Sequence, residues 1–168
     1  AANRDHEDIL QEQAREIGAQ PPTLLLEPAR RDSGPAIAAG VAYARMKFGD
    51  DAVVCALPCD HLIPDVEKFA GTLSSAIALA RMGYLATFGI TPVLPSSEFG
   101  YLQRGTAIAD HPAAFRVVKF HEKPKPETAL RYLAEGGYAW NSGMFVFSAS
   151  AFAQQAELHM PDVWHAVT

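Results

Sequence analysis

Ala52-Val53-Val54-Cys55-Ala56-Leu57-Pro58-Cys59-Asp60-His61 is the stretch whose reading decides the fold. Its first six residues are continuously apolar, too short for a helix and without the alternation of a half-wet strand. They read as a strand buried on both faces, the signature of an α/β sheet. The run stops at Pro58, and Asp60 and His61 follow directly at the strand's end. Upstream, Gly49-Asp50-Asp51 breaks a helix that Ser33-Gly34-Pro35 opens and Phe48 ends, with Pro35 tolerated in the first turn. Its expected buried stripe is Ile37, Val41, Ala44 and Phe48. Downstream, the spacing predicts a helix over residues 66–81, closed by Gly83, and then a strand over residues 84–90.

The same alternation continues to both ends. Asp8 to Ile17 carries Leu10, Ala14 and Ile17 at helical spacing, and Thr23-Leu24-Leu25-Leu26 reads as a short buried strand. Strands are expected over residues 101–108, 115–121 and 140–147, a helix over residues 126–134, and a final helix from Ser150. Strands interleaved with helices define an α/β sheet covered on both faces, hence a mixed, three-layer α/β domain. The short connection between the strands at 101–108 and 115–121 makes part of that sheet antiparallel.

Composition narrows the function. The 168 residues are 49% hydrophobic and 20% charged, enough for one domain with a real core. No run of about 18 apolar residues exists to span a membrane, and the polar first residues are no secretory signal. Net charge is −5 with the cations scattered, so nucleic acid is not an expected partner. Cys55 and Cys59 are the only cysteines, too few for a zinc quartet or a disulfide framework. Cys55 reads as core and Cys59 as loop, in a reduced, cytoplasmic protein. His6, His111, His159 and His165 have no metal-ligand spacing and read as surface residues. No Walker loop, G-x-S-x-G elbow, H-E-x-x-H or G-x-G-x-x-G occurs.

In open α/β sheets ligands bind beyond the carboxyl ends of strands, and three clusters fall there. Asp60 either holds a magnesium ion, which takes one or two carboxylates and fills its shell with phosphate oxygens and water, or caps a turn. Glu122 and Lys123 in His121-Glu122-Lys123-Pro124 either bind sugar hydroxyls and a phosphate or are ordinary surface charges. Strand alternation would point these two apart, so an ion pair between them is not required. In Trp140-Asn141-Ser142-Gly143-Met144-Phe145, Asn141 has the donor and acceptor that suit a sugar hydroxyl. Gly143 marks either a close backbone approach or a bulge with a structural Asn.

Taken together, six segments in order resemble the sugar-nucleotidyltransferase family on its mannose and GDP branch. They are residues 25–38, Leu57-Pro58-Cys59-Asp60-His61, Thr87-Phe88-Gly89-Ile90-Thr91-Pro92, Phe99-Gly100-Tyr101-Leu102, Phe120-His121-Glu122-Lys123-Pro124 and residues 140–145. The resemblance implies a Rossmann-like nucleotide-diphospho-sugar transferase fold with a mixed, mostly parallel sheet. It implies transfer of GMP from GTP to mannose 1-phosphate, giving GDP-mannose and pyrophosphate. Alignment and charge neutralisation drive such a reaction, with no side-chain nucleophile. Other sugar-1-phosphate nucleotidyltransferases and a non-catalytic sugar-nucleotide-binding subunit are the alternatives, and a homodimer is left open.

Carried over by motif, Asp60 is implied as the Mg2+ ligand and Lys123 as the contact to the sugar phosphate. Glu122 and Asn141 are implied at the sugar, and Gly100 as the backbone the sugar approaches. Glu27, Pro28, Asp32, Ser33, Pro35 and Ala36 are implied around the base. Four departures stand out: Asp32-Ser33-Gly34 for Asn-Thr-Ala, Ser97-Glu98-Phe99 for Thr-Gly-Tyr, His121 for Val, and Cys59 for Ala. The family's glycine-rich G-G-x-G-x-R-L-x-P-L signature, a backbone cradle for the triphosphate, is not found in these residues. The implied reading is the central portion of a nucleotidyltransferase domain over residues 1–168, without the N-terminal triphosphate loop and the C-terminal part, and inactive alone.

Overall fold

The structure, a computed structural model, describes residues 1–29 and 31–168. It divides into two compact units, Ala1–Val54 with Phe147–Thr168, and Cys55–Val146.

In the first unit, strand β1 (Ala2–Asn3) pairs in parallel with β2 (Leu26–Glu27), Asn3 opposite Glu27. The strand expected from Thr23 shortens to Leu26–Glu27, because β1 offers only two residues to pair with. Helix α1 (Glu7–Glu16) follows a 3-10 turn at Arg4–His6, and Gly18 at φ 67° turns the chain after it. Helix α2 (Ser33–Phe48) has the expected bounds but buries a narrower stripe, Ala38 and Val41. Phe48 stands 68% exposed at its last turn.

Helices α5 (Ala149–His159) and α6 (Pro161–Val167) pack on α2 and on each other. The small buried face of α5, Ala149, Ala151, Ala153 and Ala156, lets helix axes come close. The single C-terminal helix expected from Ser150 is thus two, because Pro161 has no N–H to continue the ladder and instead starts a new first turn.

In the second unit, helix α3 (Val66–Arg81) has the predicted bounds, with Asp65 accepting the Lys68 N–H at 2.9 Å as its N-cap. It packs on β4 (Ala86–Ile90), where Phe69 meets Phe88 at 6.0 Å between ring centres. Strands β5 (Tyr101–Ile108) and β6 (His111–His121) form a long antiparallel hairpin, turned at Asp110 with φ 62°. Helix α4 (Pro126–Glu135) starts on Pro126 and ends at Gly136 and Gly137, both at positive φ. Tyr101, Ala129 and Tyr132 form a core against which Tyr138 and Trp140 pack.

Strand β7 (Tyr138–Ser148) and β3 (Val53–Ala56) both pass through the division between the units. The sheet runs β3–β7–β5–β6, with β4 also paired to β7. The α/β class is as expected. In place of a mostly parallel arrangement, the β4–β7, β5–β6 and β5–β7 pairs of this sheet are antiparallel, while β1–β2 is a separate parallel pair. Cys55, expected in the core, is exposed, because β3 lies at the end of this strand order.

Candidate functional site

Register aligns the residues expected at the sugar. Tyr101 lies opposite both His121 on β6 and Trp140 on β7, and Trp140 lies opposite Ile90 on β4. Successive side chains alternate across a sheet, so the next row falls on the opposite face. That row is Glu122, Gly100, Asn141 and Gly89, with Asn141 opposite Gly89. The Asn141 N–H donates to the Gly100 carbonyl at 2.8 Å. A Cβ on Gly100 would sit 2.6 Å from Phe120 Cζ and 3.0 Å from Glu122 Oε2. A Cβ on Gly89 would sit 2.8 Å from that of Ala139. Neither position has room for a Cβ, because Phe120 and Glu122 pack over Gly100 and Ala139 packs over Gly89.

Asn141 is held by Thr87, whose hydroxyl lies 3.0 Å from Asn141 Oδ1 and 2.9 Å from the Met144 carbonyl. The single hydroxyl proton serves one of these two oxygens at a time, so the contact anchors the Asn141 side chain on β4 without fixing which end of its amide is free. The register between β4 and β7 shifts here, from Thr87 opposite Phe145 to Gly89 opposite Asn141. The bulge expected at Gly143 is therefore present, with φ 73°, a conformation that favours glycine. It brings Gly143 beside Pro58, whose Cγ would lie 3.7 Å from a Cβ there. The loop after β3 thus adjoins the Asn141 segment.

Asp60 lies in a turn of that loop with its side chain 83% exposed. It makes no capping hydrogen bond among the described residues, and its Oδ1 lies 3.9 Å from His61 Nε2. No group of three or more His, Cys, Asp or Glu gathers among the described residues. One free carboxylate fits a magnesium ion that takes its remaining ligands from substrate oxygens and water; it does not fit a closed protein cage.

Glu122 and Lys123 follow the last residue of β6, so strand alternation no longer separates them. Lys123 has φ 37°, and its Nζ comes 3.8 Å from Glu122 Oε1, both side chains 62% exposed. The two do approach each other, against the expectation from alternation. A pair this exposed is weak enough to be traded for a ligand's own charges.

In the first unit, a cavity of about 210 Å³ is lined by Asn3, His6, Glu27, Ala29, Arg31 and Asp32. Glu27 and Asp32 are thus brought together, Asp32 at φ 57° just ahead of α2. Pro28, Ser33, Pro35 and Ala36 do not line it; the last three form the first turn of α2. Sequence reasoning missed Asn3 and His6 here, and gave no site role to Ala29 and Arg31 or, in the second unit, to Thr87 and Gly89, although these four lie in the family-like segments. Asn3 and His6 join through β1, a two-residue strand with no periodic signal of its own.

A larger cavity of about 940 Å³ lies among α3, β4 and the β5–β6 hairpin. It is lined by none of the candidate site residues, although Thr87, Phe88, Gly89, Thr91 and Leu102 of the family-like segments reach it.

Comparison with known proteins places this arrangement. Residues 1–166 match the nucleotidyl transferase family, and the chain belongs to that family. It is 40% identical over 98% of its length to a mannose-1-phosphate guanylyltransferase of Escherichia coli K12, covering 35% of that protein. It is 39% identical over 96% of its length to the xanthan biosynthesis protein XanB of Xanthomonas campestris, covering 34% of it. The chain therefore spans about a third of the length of these relatives. Among solved structures, the mannose-1-phosphate geranyltransferase of Thermus thermophilus superposes with a TM-score of 0.85 at 33% identity. That match covers 99% of this chain and 47% of the other. The fold is thus the Rossmann-like α/β fold of nucleotidyltransferases.

Proposed function

We propose that the protein carrying this chain is a mannose-1-phosphate guanylyltransferase, joining GTP and mannose 1-phosphate into GDP-mannose with release of pyrophosphate. The observation that carries the reading is the single row of Glu122, Gly100 and Asn141 with Lys123 at its end. Such a row suits a hydroxyl-rich ring, with a carboxylate and an amide for its hydroxyls and a cation for an anionic group at one end. The similarity to mannose-1-phosphate guanylyltransferases suggests the sugar and the base.

In this reading a phosphate oxygen of mannose 1-phosphate attacks the α-phosphorus of GTP. The bond from that phosphorus to the bridging oxygen of the β-phosphate breaks, and pyrophosphate leaves with the electron pair. Lys123 Nζ holds the sugar phosphate as a point charge. Glu122 accepts from ring hydroxyls, and the Asn141 amide donates to one. Gly100 leaves room for Phe120 and the Glu122 carboxylate beside the sugar. Glu27, Pro28, Asp32, Ser33, Pro35 and Ala36 surround the base. Asp60 would hold Mg2+, which when bound offsets phosphate charge. Orientation supplies most of the acceleration in a reaction that needs no protein nucleophile.

No helix among the described residues is long and apolar enough to cross a membrane. The exposed, unpaired Cys55 and Cys59 suit a reducing compartment, and we place the reaction in the cytoplasm. The product is a nucleotide sugar of the kind polysaccharide assembly consumes, in keeping with the XanB name.

The test is pyrophosphate release by the gene product that carries this chain, with magnesium, GTP against ATP, UTP and dTTP, and mannose 1-phosphate against glucose 1-phosphate. Fastest release with GTP and mannose 1-phosphate is expected. A different preferred pair makes it another sugar-1-phosphate nucleotidyltransferase. Binding of GDP-mannose without release from any pair makes it a non-catalytic subunit.

A further inference from the structure

His121 stands on the face opposite Glu122, one peptide bond before it, and its side chain is tied into the core. Its Nδ1 lies 3.0 Å from the hydroxyl of Tyr132, a residue of α4 only 5% exposed. The imidazole packs 5.1 Å from the Tyr132 ring and 6.2 Å from that of Tyr138, and those two rings stack at 4.0 Å. His121 Nε2 is buried with no partner among the described residues, so the ring's one polar anchor there is Tyr132.

We propose that His121 is a positioning residue: by bonding Tyr132 it clamps the end of β6 to α4 and so fixes Glu122 and Lys123 for the sugar 1-phosphate. Only residues 122–125 separate β6 from α4. A bond from the first flank of this loop to the second turn of the helix beyond it closes the loop into a short ring. Lys123 sits inside that ring at φ 37°, where a residue with a Cβ is strained. Such strain persists only where the surroundings over-determine the backbone. Fixing His121 also fixes where the chain enters this four-residue loop, which limits the positions open to Glu122. A β-branched apolar residue at 121 would keep the packing, lose the bond, and leave the Tyr132 hydroxyl buried and unpaired.

The proposal rests on the reading of Glu122 and Lys123 as sugar 1-phosphate contacts. Its test compares His121→Val, His121→Asn and Tyr132→Phe in the full gene product, with KM for each substrate, kcat and melting temperature. Asn retains a polar atom near the place of Nδ1, and Tyr132→Phe removes the bond without touching β6.

His121→Val and Tyr132→Phe should each raise KM for mannose 1-phosphate by about tenfold, the scale of one lost buried hydrogen bond. KM for GTP should stay unchanged. His121→Asn should recover most of the loss, and the double variant should be no worse than either single one. An unchanged mannose 1-phosphate KM in Tyr132→Phe overturns the clamp while leaving the sugar site standing. A rise shared equally by both substrates and tracking the melting temperature makes the bond merely structural and overturns it as well. A wild-type protein that neither binds nor turns over mannose 1-phosphate overturns both the site reading and the clamp.

Discussion

Thr87 and Asn141, 54 residues apart in sequence, meet across β4 and β7 with the threonine hydroxyl 3.0 Å from the asparagine Oδ1. The same hydroxyl lies 2.9 Å from the Met144 carbonyl, so its one proton ties the Asn141 side chain and the bulged segment of β7 to β4. Without it Asn141 loses this anchor, and its proposed contact to the sugar loosens. Thr87→Val keeps the shape and removes the donor. It should weaken mannose 1-phosphate binding about three- to tenfold in titration calorimetry, the usual scale for a single neutral hydrogen bond. Thr87→Ser should bind nearly as wild type. Equal binding by the Val variant would free Asn141 from this role.

Gly100 tests the same row. Any side chain there begins 2.6 Å from Phe120 Cζ and 3.0 Å from Glu122 Oε2. The Phe120 ring is 46% exposed and has room to move, so Gly100→Ala should fold. Overpacking of this kind costs about 1–3 kcal/mol in a tight core and less at a half-open site. The larger effect falls on the proposed sugar contact, because the methyl group displaces the Phe120 ring and pushes on the Glu122 carboxylate. The expected result is a mannose 1-phosphate KM raised at least about tenfold, roughly 1.4 kcal/mol, with GTP unaffected. A loss of GTP binding alone would move the sugar away from this row.

What is legible in the sequence follows from how local each signal is. Helices α2 and α3 can be bounded from sequence because Pro35, Asp65 and Gly83 are start and stop residues acting on their own turn. Strand β2 starts at Leu26 rather than Thr23 because strand length depends on a partner, and β1 supplies only two residues. Cys55 reads as buried because its neighbours are apolar; that β3 ends the strand order is a topological fact no local pattern carries. The site divides in the same way. Glu122, Gly100 and Asn141 belong to recognisable segments, whereas the roles of Thr87 and His121 arise only from cross-strand register and from α4. The loop at Glu27–Asp32 is legible as a segment, but its lining by Asn3 and His6 depends on the β1–β2 pairing.

Stability should respond to acid through the end of α2. The Arg45 guanidinium bonds both carboxylate oxygens of Asp50 and holds that carboxyl below its ordinary range. The same turn carries the helix cap, with Gly49 N–H on the Arg45 carbonyl at 2.9 Å, and receives the Ser150 N–H on the Asp50 carbonyl at 3.0 Å. Because the folded-state pKa is depressed, the contribution is complete above the unfolded carboxylate value of about 3.9 and is lost as pH falls through the folded value. The pair is exposed, so its share is small and salt-sensitive. Melting curves of wild type and Asp50→Asn should differ most near neutral pH at low salt and converge below about pH 4. A difference that widens in acid would show that the pair does not act through the Asp50 charge.

Asp60 gives the sharpest separation of structure from chemistry. Its side chain is 83% exposed and caps nothing among the described residues, and its loop adjoins the bulge at Gly143 through Pro58. Replacing it by Asn preserves size and removes the charge. With no packing or hydrogen bond at stake, the melting temperature should hold, since such surface changes stay within about 0.5 kcal/mol. A neutral amide is a poor ligand for a hard cation that relies on one or two protein carboxylates. Magnesium-dependent pyrophosphate release should therefore fall by at least about a hundredfold, roughly 2.7 kcal/mol of lost transition-state stabilisation. Raising magnesium should recover part of the rate if the variant's defect is metal affinity. Undiminished turnover at low magnesium would remove Asp60 from the metal site and leave Glu122, Gly100, Asn141 and Lys123 as a binding surface for the sugar alone.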